Sequence, residues 1–470
     1  MVGVNGMTLG VIFGNRDFFP DSLVAEARRD LTGVFAVLGI QTVMLTPEQT
    51  KLGAVETWQD AVLCGQLLRE QKHRIDGVLI CLPNFGDEKG IADALRLSEL
   101  NCPVLVQACP DDLDQFGLER RRDAFCGKIS VCNNLRQYRI KYSLTRDHTV
   151  AIGSDDFKQD LLEFLATCRV VRGLRRVRIG AVGARPNAFN TTRYSEKLLE
   201  QAGISINTID LSEVFGRATD IAAGDARVKQ RLDQIRQYAD SSAAPQESLL
   251  KMAKFAVVLD GWMQELGLTA TAIQCWSSMQ KNYGVNVCTI MSMMSEQMMP
   301  SACEVDIAGV VSMYALQLAS AKPSALVDWN NNYGSDTNKC VLFHCGNWAK
   351  DFLPDIRIGT APILGSILGE ANTVGALAGR TPAGPMTFGR ITTDDSTGTI
   401  RAFVGEGRFT DDPLDTFGTK AVVEIQRLRD LMHYVCRNGF EHHAAMTRGH
   451  CADAVAEGLG TYLGWDVLRH

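Results

Sequence analysis

Three short segments of this 470-residue chain bring acids and imidazoles together in ways that allow chemistry. In the first, Ser301-Ala302-Cys303-Glu304-Val305-Asp306 precedes an apolar run with helical periodicity. Ser301 and Glu304 have the spacing of a capping box, and Asp306 is an acid of the kind favoured at a helix N-terminus. In the second, Leu326-Val327-Asp328-Trp329-Asn330-Asn331-Asn332-Tyr333 puts an acid at the end of an apolar run. Val341-Leu342-Phe343-His344-Cys345-Gly346-Asn347-Trp348 repeats that layout with a histidine. Strand ends that present Asp and His to Gly/Asn-rich loops suit metal and catalytic sites, although an Asx turn at Asp328 and a surface histidine at His344 fit the same residues. The third segment, Glu441-His442-His443-Ala444-Ala445-Met446-Thr447-Arg448-Gly449-His450, sets paired imidazoles beside small residues that allow close approach to an ion. Four of the eight histidines lie between His433 and His450.

The elements that must position these groups follow from hydrophobic periodicity. Thr8–Phe13, Gln41–Leu45, Gly77–Leu82 and Val104–Gln107 are short apolar runs. They alternate with amphipathic stretches such as Asp21–Leu38, where Leu23, Val24, Ala27, Leu31, Val34 and Leu38 share a face, and Thr57–Gln71. That alternation predicts a parallel sheet covered by helices on both sides, with ligands bound beyond the carboxyl ends of the strands. The pattern restarts near Arg172. Arg176–Val182, Ile204–Ile209, Thr269–Gln274 and Val285–Ile290 read as strands, with helices at Thr192–Ala202 and from about Val305 to Ala319. Beyond Ser320 the chain turns rich in Gly, Thr and Pro, and Pro385–Thr392, Thr399–Val404 and Ala421–Gln426 read as strands of a mainly antiparallel sheet or barrel. The expected fold is α/β: two Rossmann-like doubly wound α/β domains, 1–171 and 172–320, followed by a mainly β C-terminal domain, 321–470.

Composition narrows the class. A net charge of −6 argues against general nucleic-acid binding, which needs a cationic surface. No apolar run is long enough to span a bilayer. The opening Met1-Val2-Gly3-Val4-Asn5-Gly6 lacks the layout of a signal peptide. Fourteen cysteines without a CxxC pair read as buried free thiols. A cytoplasmic protein is expected.

Glu304 and Asp328, 24 residues apart, followed by the H-A-A-M-T-R-G-H run, resemble the metal site of the L-fucose/L-arabinose isomerase family, and the likeness extends over nearly the whole chain in domain order. The resemblance implies that Glu304, Asp328 and His443 hold a metal, with His344 near a fourth ligand found in arabinose isomerases. It implies Mn²⁺ as cofactor, with Mg²⁺ or Co²⁺ able to use the same ligands. The implied reaction is aldose–ketose isomerisation, in which a proton moves between C1 and C2 through a cis-enediol. A hard divalent ion stabilises the enediolate oxygen, and Glu304 and Asp328 exchange base and acid roles. Oxygen-rich ligands with imidazole suit Mn²⁺ over thiolate-loving Zn²⁺. The family pattern also implies a homo-oligomer, a hexamer, in which Arg16 of the first domain completes a neighbouring subunit's site. Two positions depart from fucose isomerases. His442 stands where they place an amide, and Asn84 and Phe85 stand where they place a tryptophan against the sugar.

Further groups suit a hydroxylated ligand: Arg185, Phe189, Asn190 and Arg193 in the loop after Val182, and Gln274 and Trp276 at another strand end. The chemistry leaves open a monosaccharide that is deoxy, sulfonated or otherwise substituted. Rival readings are a metal-dependent epimerase or aldolase, or a sugar-binding protein without turnover. Two carboxylates around a metal speak against the last.

Overall fold

The computed structural model describes residues 6–470. The opening residues through position 5, read above for their lack of a signal-peptide layout, lie outside the described residues. The chain forms two compact units, Met1–Arg172 with Glu457–Gly464 and Gly173–Ala456 with Trp465–His470.

The first unit contains β1 (Thr8–Gly14), β2 (Gln41–Val43), β3 (Ala54–Val55), β4 (Gly77–Leu82), β5 (Val104–Ala108) and β6 (Ser143–Leu144). They form a parallel sheet of order β2-β1-β4-β5-β6, with β3 on β1. The central strands β1, β4 and β5 are buried along their whole length because both faces are covered. Leu9, Val11 and Phe13 pack with Val24 and Leu31 of helix Asp21–Leu38 and with Phe157 and Leu161 of helix Asp155–Leu174. Ile12, Val78 and Ile80 pack on the other face with Leu68 of helix Trp58–Glu70 and Ile91 of helix Glu88–Ser98. Side chains of a strand alternate in direction, so one apolar strand feeds two cores. The loops after β1 and β4 meet where the strand order reverses, the usual crevice of such sheets.

The second unit opens with β7 (Arg178–Val182), β8 (Ser205–Ile209), β9 (Ala270–Ile273) and β10 (Ser301–Cys303), a parallel sheet of order β10-β9-β7-β8. It continues with β11 (Ser324–Tyr333), β12 (Asp336–His344), β13 (Arg357–Gly359), β14 (Ala376–Arg380), β15 (Gly384–Asp394), β16 (Thr399–Thr410), β17 (Thr419–Glu424), β18 (His443–Arg448) and β19 (Asp466–Arg469). Strands β17, β12, β11, β18, β15 and β16 pair antiparallel in that order, and β16 pairs back to β17, so the six close into a barrel. Residues 172–320 and 321–470 therefore build separate sheets, yet they share one apolar core. Trp262 and Met291 of the first lie in the same cluster as Leu342, Phe388 and Phe409 of the second.

Three local expectations change. Val285–Ile290, read as a strand, instead leads into helix Cys288–Glu296, whose run Cys288–Ser295 is buried on every side. A short apolar run with no polar face carries no period that separates helix from strand. The helix expected over Thr192–Ala202 is confined to Glu196–Gln201, after a 3₁₀ turn at Asn190–Thr192. Asp328 does not end its strand, because β11 continues to Tyr333 through a bulge after Trp329, paired with β12. Among the described residues no helix is long and apolar enough to cross a membrane.

Candidate metal centre

Glu304 leaves the carboxyl end of β10 in a turn where Glu304 and Val305 both have left-handed backbone, φ 56° and 55°. That conformation is costly for a residue with a Cβ, more so for β-branched Val305, and such strain concentrates at functional sites. The turn corrects the capping-box reading. Ser301 lies in β10, and the N-cap of helix Ile307–Ser320 is Asp306, which accepts from Gly309 N–H at 2.8 Å. Gly309 suits this cap, since a Cβ there would come within 2.4 Å of the Asp306 carboxylate. The turn thus separates two acids only two residues apart, Glu304 into the cavity and Asp306 behind it.

Asp328 and His443 are directly paired residues of neighbouring strands β11 and β18, so their side chains share a face. His443 Nε2 lies 3.3 Å from Asp328 Oδ1 and 3.9 Å from Glu304 Oε2. His344, the last residue of β12, places Nε2 3.7 Å from Glu304 Oε2. His442 Nε2 lies 3.4 Å from Asp328 Oδ1. Two triads result, Glu304–His344–His443 and Asp328–His442–His443, with the ligand atoms of each within 4.8 Å of one another and His443 common to both.

The fit to a cation rests on one atom. Glu304 is buried, and its Oε1 accepts from Trp276 Nε1–H at 2.9 Å and from the Cys275 thiol at 3.3 Å. Its Oε2 is buried without a hydrogen-bond partner. A buried carboxylate oxygen left bare is costly unless a cation or proton meets it, and the neighbouring imidazoles stand at ion-pair rather than hydrogen-bond distance. Nearby Cys275 and Cys303 also cluster with Glu304. Burial pushes the Cys275 thiol up to about 12, and bonds from Cys275 and Cys288, with burial, raise Cys303 well above the ordinary thiol range. The two triads offer oxygen and imidazole nitrogen, a set for a hard or borderline divalent ion.

Behind the triads lies a buried network. His443 Nδ1 faces Asp306 Oδ2 at 2.9 Å. Arg390, fully buried, donates to both oxygens of Asp306 at 2.6 and 3.0 Å and to Glu441 at 3.0 Å, and Thr392 donates to Glu441 at 2.6 Å. Burial alone would raise the Asp306 carboxyl, but the Arg390 charge and the His443 bond hold it well below the usual range. Burial likewise opposes ionisation of Asp328, and the bonds with His442 and His443 prevail in keeping it low. Burial would lower His443, yet bonds to Asp306 and Asp328 carry it up to about 10. The carboxylates around His443 thus favour positive charge in this part of the cluster, and a divalent cation would supply it.

Other expected residues separate into those at the cavity and those that shape loops. Phe189, Trp276, His442, His443, His344, Asp328 and Glu304 line one cavity of ≈ 690 Å³. Phe189 sits edge-on to Trp276 and His442, with centroids 5.4 Å away in each case. Gln274 accepts from Ala184 N–H at 2.9 Å and so ties the β9 loop to the β7 loop. Arg185 donates to the carbonyls of Pro186 and Asn187, and Arg193 to that of Asn190; none of these four lines the cavity. In the first unit Asn84 is fully buried, donating to Asn15 at 2.6 Å and accepting from Gly86 N–H at 3.0 Å. Its amide closes the loop rather than facing a ligand. Arg16 lies 4.2 Å over the Phe85 ring, donates to Gly86 O and pairs with Glu88. Sequence reasoning missed Arg390 and the pairing role of Glu441. A lone arginine between Gly389 and Ile391 in an apolar strand was the available signal.

Two family descriptions match the chain: Fucose/sulfoquinovose isomerase, N-terminal domain, over residues 10–175, and L-fucose isomerase, C-terminal domain, over residues 342–470. Sulfoquinovose isomerase of Priestia aryabhattai is 26% identical over 471 residues, covering 98% of this chain and 99% of that protein. Sulfoquinovose isomerase of Alkalicoccus urumqiensis is 24% identical over 395 residues, 81% and 83% of the two chains. That of Clostridium sp. (strain MSTE9) is 26% identical over 373 residues, 75% and 77%.

Proposed function

The chain belongs to the fucose/sulfoquinovose isomerase family of sugar isomerases, and on that footing we propose that it interconverts an aldose and its ketose at the Glu304–Asp328–His443 centre with a divalent cation, Mn²⁺ first among candidates. The observation that carries the reading is the bare, buried Oε2 of Glu304, with two imidazoles and the Asp328 carboxylate turned toward the same space.

Glu304, Asp328 and His443 would hold the cation, and His344 offers a fourth donor. When bound, such an ion polarises the sugar carbonyl and stabilises negative charge on its oxygen. The Glu304 and Asp328 carboxylates serve as base and acid: the proton that leaves C2 is returned at C1 while the O2 hydroxyl proton passes to O1, and the roles exchange for the reverse direction. Trp276 orients Glu304 through Oε1 and leaves Oε2 for chemistry. Asp306 fixes the ring of His443 so that Nε2, not Nδ1, faces the site. The Phe189 and Trp276 rings and the apolar wall of Phe343, Leu364 and Phe417 keep water from the carbon being deprotonated. The family resemblance also supports a homo-oligomer, a hexamer, with Arg16 acting on a neighbour's site.

The test is a panel of aldoses, with sulfoquinovose, L-fucose, L-arabinose and L-rhamnose included. Ketose formation is followed after EDTA treatment and again after Mn²⁺, Mg²⁺ or Co²⁺ is restored. Ketose formation that is lost with the metal and returns with it supports the proposal. Turnover unaffected by EDTA, or a product that is an epimer or a cleaved fragment, overturns it.

A further inference from the structure

Lys281 lines the same cavity as Glu304, Asp328, His344 and His443, and it is the one lysine or arginine among the described residues that does so. Its backbone is held firmly. Lys281 lies in the π-helical turn Met279–Tyr283, where Gly284 N–H bonds back to Met279 O at 2.8 Å. The buried amide of Gln280 donates to Cys275 O at 2.8 Å, and Tyr283 OH donates to Lys251 O at 2.8 Å. π turns of this kind recur at functional sites because they redirect side chains. Lys281 N–H also bonds to Ser277 O at 3.2 Å, which stacks Lys281 one turn beyond Ser277, another residue of the cavity wall.

The charge of Lys281 has no ion-pair partner among the described residues. Lys251 on the neighbouring helix pairs with Glu247 at 3.0 Å, whereas among the described residues no carboxylate pairs with Lys281. Glu304 and Asp328 share its cavity, but their ion pairs are with His344, His442 and His443. Lys281 therefore lines the cavity beside Ser277 without an ion pair to the Glu304 or Asp328 carboxylate. The arginines that the sequence offered nearby, Arg185 and Arg193, are bonded to loop carbonyls instead.

We propose that Lys281, assisted by the Ser277 hydroxyl, binds an anionic substituent at the end of the sugar away from the reacting carbons, so that the site selects a sulfonated or phosphorylated aldose over a neutral one. This rests on the isomerase reading above. An ammonium and a hydroxyl suit either tetrahedral anion, as charge-assisted donors to its oxygens.

The experiment compares kcat/KM of metal-loaded wild type, Lys281→Met and Lys281→Arg on three glucose derivatives: 6-sulfonated (sulfoquinovose), 6-phosphorylated and neutral 6-deoxyglucose. Wild type should prefer an anionic sugar, and the better of the two identifies the anion. Lys281→Met should lower the anionic-to-neutral ratio by about 10–100-fold, chiefly through KM, the scale of one hydrogen bond to a charged group. Lys281→Arg should restore most of that ratio. Melting curves and metal content matched to wild type establish that the variants are folded and loaded. A ratio unchanged by Lys281→Met, equal loss on all sugars, or a wild-type preference for 6-deoxyglucose overturns the assignment and leaves the isomerase reading standing. A wild type that converts none of the three, nor any aldose of the broader panel, overturns the isomerase reading itself.

Discussion

Asp306 holds His443 from behind. Its Oδ2 lies 2.9 Å from His443 Nδ1, while the opposite nitrogen of the same ring faces Asp328 and Glu304. A carboxylate behind an imidazole sets the tautomer and raises the basicity of the outward nitrogen. Asp306→Asn should therefore weaken divalent-metal binding by about 10–100-fold without touching a metal ligand. Titration of the metal-free protein with Mn²⁺ measures this, and wild-type affinity in the variant would remove Asp306 from the account.

Arg390 makes the same network structural. Fully buried between Asp306 and Glu441, it cannot be removed without leaving two uncompensated acids. Arg390→Met should destabilise the chain by about 3–5 kcal/mol, read as a fall in the denaturation midpoint. A midpoint like that of wild type would contradict the buried pairing.

The proposed ligands themselves should differ in weight. Glu304→Gln, Asp328→Asn and His443→Ala should each abolish most turnover and weaken metal binding in a protein that still folds. His344 accepts the Cys345 N–H on Nδ1 at 3.0 Å, which in a neutral ring leaves the proton on Nε2, the nitrogen facing Glu304. His344→Ala should consequently cost less metal affinity than His443→Ala. The reverse order, measured by chelator competition, would make His344 the principal imidazole ligand.

Trp276→Phe isolates a single bond. The ring packing against Phe189 is largely kept, and the indole N–H to Glu304, 2.9 Å long, is lost. About tenfold slower turnover is expected, the size of one hydrogen bond to a charged group. Turnover equal to wild type would mean that Cys275 alone suffices to orient Glu304.

Lys128 gives the first unit a pH-dependent stability. Buried, it donates to Thr145 Oγ1 at 2.7 Å and His148 O at 2.8 Å, and burial lowers its ammonium from 10.5 to about 8. A basic group with a lowered folded pKa makes the fold relatively more stable above its unfolded pKa. That advantage is lost as pH falls from about 10.5 through about 8. The span is on the order of 3 kcal/mol. Denaturant titrations of Lys128→Met across that window should show a flatter slope with pH than wild type, and parallel slopes would refute the effect.

Oligomer formation has a direct readout. Light scattering should give a multiple of 51.5 kDa, six in the proposed assembly. Mixing Arg16→Ala with Asp328→Asn after subunit exchange should restore some activity if Arg16 serves a neighbour's site. A fully active monomer would sink this part of the proposal.

Local chemistry was enough to make much of this protein legible. The apolar runs at β1, β4, β5 and β7 announced parallel sheets, because strand burial is written in side-chain type and period. Glu304, Asp328, His344 and His443 became candidate ligands through the family resemblance, since a capping box, an Asx turn and a surface histidine fit the same local residues. What only the tertiary structure decided is how these groups meet. Asp306 and Glu304 are two residues apart and looked equivalent, but the left-handed pair at Glu304 and Val305 sends one to the cavity and the other to Arg390. Arg390 lies 84 residues from Asp306, Trp276 28 residues from Glu304, and His443 joins Asp328 only through the register of β18 on β11. No local pattern encodes such pairings, because they depend on the closure of a barrel and on the sharing of its core with the sheet of β7 to β10. Lys281 belongs to the same class. In sequence it is one lysine among many, and its place in the cavity comes from a π turn held by Gln280 and Gly284.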